Sequence, residues 1–110
     1  MTPEERDVWA VLSMCRGREL AILGPEIEAL TGIRYKQVQK IISHLVCDHG
    51  MPIGSGTCGY YLPQTIRERE DAAHYLRHRA IVALYRAGAM QRATIESVLM
   101  QARLEFEKAG

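Results

Sequence analysis

No uninterrupted apolar run in this 110-residue sequence approaches the roughly 20 residues that a membrane-spanning helix needs. The first residues carry acids where a secretory signal would carry bases and then an apolar block. A soluble, cytoplasmic chain with no membrane partner is the expectation. Cysteine is sparse and odd in number: Cys15, Cys47 and Cys58 form no C-x-x-C pair, which argues against a secreted disulfide framework and makes reduced thiols the default. Proline occurs four times and never after Pro63. No nucleophile elbow, paired-carboxylate motif or zinc-protease motif is present, so neither an enzyme nor any catalytic residue is expected.

What is present is ordinary globular composition, 47% hydrophobic and 25% charged, at a length that supports one compact domain with an appended helix. The formal net charge of +1 conceals an uneven distribution. Residues 1–32 hold 3 bases and 6 acids, whereas residues 33–64 hold 3 bases and 1 acid. The middle third is the basic one, which permits an anionic partner without demanding it.

Thr2-Pro3-Glu4-Glu5 reads as a helix start, with Thr2 as N-cap, Pro3 in the first turn and Glu5 closing a capping box. Val8, Leu12 and Cys15 give that helix an apolar face, Trp9 is expected in the core, and Gly17 marks its end. Glu19 to Leu23 reads as a short extended piece. Pro25 then opens a helix barely two turns long, with Ile27 and Leu30 inward, and Gly32 supplies the left-handed backbone of a sharp turn. A longer helix follows from Tyr35 to Asp48. Val38, Ile41, Ile42 and Leu45 form its buried stripe, and Arg34, Lys36, Gln37, Gln39, Lys40 and Ser43 its outer face.

Residues 53–63, IGSGTCGYYLP, contain the G-x-G-x-x-G spacing of a phosphate-binding loop. That chemistry needs a helix opening at the last glycine, where free N–H groups meet the anion. Here Tyr60-Tyr61-Leu62 favours a strand and Pro63 stops it, so the glycines are read as a β-hairpin turn and no nucleotide cofactor is expected.

An initial helix, a short strand, a helix pair turning at Gly32 and then a hairpin resemble the winged helix-turn-helix family over residues 2–63. The resemblance is carried by Ile27, Leu30, Gly32, Ile33, Val38 and Ile41, and the ending GYYLP before a long charged helix is similar to small phage or prophage DNA-binding proteins. It implies a mainly α fold with a small β-hairpin wing, a DNA-binding domain over residues 1–64, and major-groove docking of the second helix of the pair. Arg34, Lys36 and Lys40 would contact phosphate, and Gln37 and Gln39 would read base edges. Tyr35, Ser43, Ser55 and Thr57 complete the expected DNA surface, although Ser55, Thr57 and Cys58 leave the hairpin tip uncharged.

Residues 65–110 form a helical extension opened by the capping box Thr65-Ile66-Arg67-Glu68. Ala73, Leu76, Ala80, Ala83, Ala87 and Met90 alternate spacings of three and four, with Leu84 beside them, and this is the signature of a helix packed along a seam. Gly88 bends or ends that helix, after which Ile95, Val98 and Leu99, with Ala102 and Phe106, give a second apolar face. A homodimer through these faces is expected. Two metal readings are weaker than their plain alternatives: His74 and His78 at i, i+4 lack a third ligand, and Cys47-Asp48-His49 with Cys58 has no ordered spacing. No metal or other cofactor is expected. The function expected is sequence-specific binding of double-stranded DNA, as a homodimeric transcriptional regulator. The alternatives are a phage replication or packaging protein that binds DNA, and a winged protein-interaction module.

Overall fold

In the computed structural model, which describes residues 1–109, the chain is mainly helical with one small antiparallel sheet. Helix α1 spans Pro3–Leu12, α2 Gly24–Thr31, α3 Tyr35–Cys47, α4 Ile66–Gln91 and α5 Ile95–Ala109. Strands β1 (Gly54–Gly56) and β2 (Gly59–Tyr61) lie between α3 and α4. Two compact units divide the chain, one from Met1 to Tyr75 and one from Leu76 onward. Among the described residues no helix is long and apolar enough to cross a membrane.

The first unit is built around α3. Its residues turn about 100° apart, so Val38, Ile41, Ile42 and Leu45 share one side, and all four are buried. They meet Val8 and Leu12 of α1, Ile27 of α2, and Ile22 and Ile53 from the connecting segments. Burying a side chain of this kind contributes about 1.5–3 kcal/mol, so these few contacts dominate the unit's stability. Trp9 is only partly buried and packs at the edge of this core. Leu30, expected inward, is 69% exposed. The stripe that α2 buries runs through Gly24, Ile27 and half-buried Thr31, and Leu30 sits about a quarter-turn away from it.

The first predicted capping box is only half as expected, and the second does more than close on itself. The Thr2 hydroxyl accepts the Glu5 N–H at 3.2 Å, but Glu5 does not bond back; its carboxylate is drawn under α1 toward two histidines at the end of α3. Thr65 accepts the Glu68 N–H at 3.0 Å. The Glu68 carboxylate returns to the Thr65 N–H and also accepts from the N–H groups of Gln64 (2.8 Å) and Arg18 (2.9 Å). With the Arg18–Asp71 ion pair at 3.1 Å, this ties the start of α4 to the first unit, where Ala72 rather than Ala73 is buried.

Residues Glu19 to Leu23 are not a strand. Gly17 leads into a single 3-10 turn over Arg18–Leu20, and Ile22 alone pairs with β2, exchanging bonds of 2.8 and 2.7 Å with Tyr60. The hairpin pairs Gly54 with Tyr61, Ser55 with Tyr60 and Gly56 with Gly59, and Thr57-Cys58 form its tip. Gly59 has φ +110°, and a Cβ there would collide with the Ile22 carbonyl oxygen. Glycine is needed for strand pairing, and β2, not a helix, begins where a phosphate cradle would need one.

In the second unit α4 runs unbroken through Gly88 to Gln91, and the chain turns at Arg92, whose φ is +53°. The Gly88 carbonyl accepts the Ala93 N–H at 2.8 Å, and a Cβ on Gly88 would lie 3.2 Å from the Val98 side chain. This glycine therefore serves close helix approach rather than a bend. Thr94 caps α5 by accepting the Ser97 N–H at 3.2 Å.

Candidate nucleic-acid interface

Helix α3 presents the predicted face. Lys36, Gln39, Lys40 and Ser43 recur at i, i+3, i+4 and i+7 and are exposed on the side away from the buried stripe. Gln37 is exposed as well but lies about 100° round from Lys36, at the flank. The two glutamines therefore border the face on opposite sides, with Lys36, Lys40 and Ser43 between them. Arg34 is exposed at the N-cap position, and its side chain makes no cap hydrogen bond. No acid stands between Glu28 and Asp48 in the sequence, so the exposed face of α3 has one sign of charge.

The N-terminus of α3 is held by an acid on α2. Glu28 accepts the Tyr35 N–H at 2.6 Å. A carboxylate there satisfies a helix-end donor and complements the helix dipole. It also means that any phosphate contact must come from the side chains of Arg34, Lys36 and Lys40 rather than from that N–H. Tyr35 is half-buried, with its ring over Gly24, where any Cβ would overlap it. A side chain at position 24 would have to displace that ring. Gly32, with φ +76°, closes α2 by donating to the Glu28 carbonyl at 2.8 Å. Ser55 is half-buried on β1, and Thr57 is exposed at the hairpin tip.

The residues expected to pair two chains divide into two groups. Leu84, Ala87 and Ile95 are half-buried and Val98 is buried within the single chain, where Leu84 and Ala87 line a shallow hollow with Val98 and Ala102. That part of the seam is spent inside the chain. Ala73, Leu76, Ala80, Ala83, Met90 and Leu99 are exposed.

Two cysteines, Cys47 and Cys58, are exposed, while Cys15 is buried. Burial and then the nearby Glu26 carboxylate push the Cys15 thiol up from its ordinary value, which keeps it protonated and inert. Among the described residues, one group could hold a metal ion: Glu5, His44 and His49, whose ligand atoms all lie within 4.8 Å of one another. His44 was not singled out in the sequence because only the packing of α1 against α3 brings it to Glu5. Comparisons with protein-family models, curated proteins and solved structures find no match.

Proposed function

We propose that the chain is a winged helix-turn-helix protein that binds double-stranded DNA sequence-specifically and acts as a homodimeric transcriptional regulator. The observation that carries this reading is the face of α3: amides and bases exposed on one side, with the opposite side locked into the core. A rigid helix with such a face fits the major groove, where an amide pairs with adenine and a base with guanine or phosphate. Gln39 and Gln37 read base edges from opposite flanks of the exposed face, Lys36, Lys40 and Arg34 hold the backbone, and the hairpin lies next to this helix in the chain as a wing. The exposed apolar residues of α4 and α5 join two copies, so the site is an inverted repeat.

A second reading, a protein-interaction module, is favoured by the uncharged hairpin tip and by the Glu28 carboxylate at the start of α3. Selection of bound fragments from a random duplex pool separates the two. The DNA reading predicts enrichment of an inverted repeat. Gln39→Ala and Gln37→Ala then lose about 1–3 kcal/mol on the selected site with little change on random duplex, whereas Lys40→Ala weakens both alike. A pool that yields no enriched sequence supports the module.

A further inference from the structure

We infer that Glu5, His44 and His49 form a binding site for a divalent zinc-like cation that staples α1 to the C-terminal end of α3. Glu5 retains 8% of its exposure, and its Oε2 has no hydrogen-bond partner among the described residues. A buried carboxylate oxygen left unmatched is costly unless something neutralises it. The surroundings of that carboxylate are two imidazole nitrogens. His44 Nε2 lies 3.6 Å from Oε1, and His49 Nε2 lies 3.6 Å from Oε2. Both separations are too long for good hydrogen bonds. They fall near the edge of a tetrahedron around zinc, about 3.3 Å for ligands at about 2.0–2.2 Å from the ion.

Three further features fit a metal better than a plain ion pair. His44 Nδ1 faces the Asp48 carboxylate one turn on. With Nδ1–H donating a hydrogen bond to that carboxylate, the Nε2 lone pair would be left for the ion, the arrangement that orients histidine ligands. The two rings meet edge to face, at 86° and with centroids 4.9 Å apart, so they do not stack flat against each other. Gly50, with φ +65°, turns the chain back so that the Met51 N–H donates to the Leu45 carbonyl at 3.0 Å, which holds His49 beside the helix end. Two nitrogens and one carboxylate oxygen suit zinc or cobalt rather than calcium or magnesium. His44 and His49 are both partly exposed, which leaves water to complete the coordination.

The staple would fix α3, the helix that carries the exposed basic face, against α1. This inference does not depend on what α3 binds, and its test contains no nucleic acid. The full chain, treated with chelator, is titrated with zinc chloride by calorimetry and with cobalt(II) by visible absorption, and its melting temperature is followed. The expected result is one ion per chain at micromolar affinity or tighter, d–d bands of a low-coordinate cobalt site, and a rise in melting temperature. His49→Ala should weaken binding at least 10-fold and abolish the rise, and its position outside α3 makes it a gentle change. Glu5→Gln should act likewise and report on the carboxylate. Binding unaffected by His49→Ala and His44→Ala, but lost in His74→Ala with His78→Ala or in Cys47→Ser with Cys58→Ser, would overturn the site. Absence of stoichiometric binding to the unaltered chain would overturn it too.

Discussion

The two units of this chain differ in how well they satisfy themselves. The first encloses Val8, Leu12, Ile27, Val38 and Leu45 completely, from three helices and the segments around a hairpin. The second, a pair of helices, buries Val98 and little else, while Leu76, Tyr85, Met90, Met100, Leu104 and Phe106 remain exposed. Two helices have only one face each to give the other, so apolar residues all round cannot be covered within one pair. Under the proposed function this difference divides the work: the first unit presents the face of α3, and the second is the part that another copy would complete.

Removing the second unit should have the largest effect. A chain ending at Tyr75 keeps Ala72, the Glu68 cap and the Arg18–Asp71 pair within the first unit. We predict that it is monomeric by light scattering and binds the selected duplex about 100-fold or more weakly, because the second half-site no longer benefits from linkage. A full chain that scatters as a monomer at tens of micromolar would contradict the assignment, and a ring-sized assembly would favour a packaging role.

Paired leucine truncations sharpen the contrast. Leu45→Ala, at full burial, should lower stability by about 2–5 kcal/mol in denaturant titration, independent of protein concentration. Leu76→Ala, half-exposed in the single chain, should cost little at low concentration and show a concentration-dependent loss where copies associate. Equal, concentration-independent losses at both sites would dissolve the distinction between the units.

The smallest effect concerns the junction at α4. Hydrogen bonds from the Arg18 and Gln64 N–H groups, then the Arg18 charge, hold the Glu68 carboxyl below its ordinary value. A depressed folded value means that the ionised form supports folding. The contribution is therefore present above the unfolded glutamate value, near about 4.3, and fades as pH falls through the lower folded value. Melting curves across the acid range should show a shallower decline in Glu68→Gln than in the unaltered chain. Because Glu68 lies at the surface, the difference should be slight.

Periodicity made α3 legible in the sequence, since all four residues of its apolar stripe are buried as their spacing requires. The hairpin was legible from glycines followed by aromatics. What escaped was tertiary choice. Glu5 was read by a local rule, as a capping partner, and Glu28 was given no role, yet Glu5 turns to His44 and His49, and Glu28 caps the next helix. A carboxylate has several satisfiable partners nearby, and sequence spacing does not say which is reached. Leu30 failed for a related reason: α2 is so short that a quarter-turn of register decides which residue is inward.

The central claim is that the exposed face of α3 meets duplex DNA, and salt dependence of binding tests it most directly. Neutralising phosphates releases counterions, so log affinity should fall linearly with log salt, with a slope of about −0.9 per phosphate contact. Fluorescence titrations of the full chain on the selected duplex at several salt concentrations should give such a line, and Lys36→Ala or Lys40→Ala should each make it shallower by about 1. An affinity that does not respond to salt, or a slope unchanged in both variants, would contradict the account.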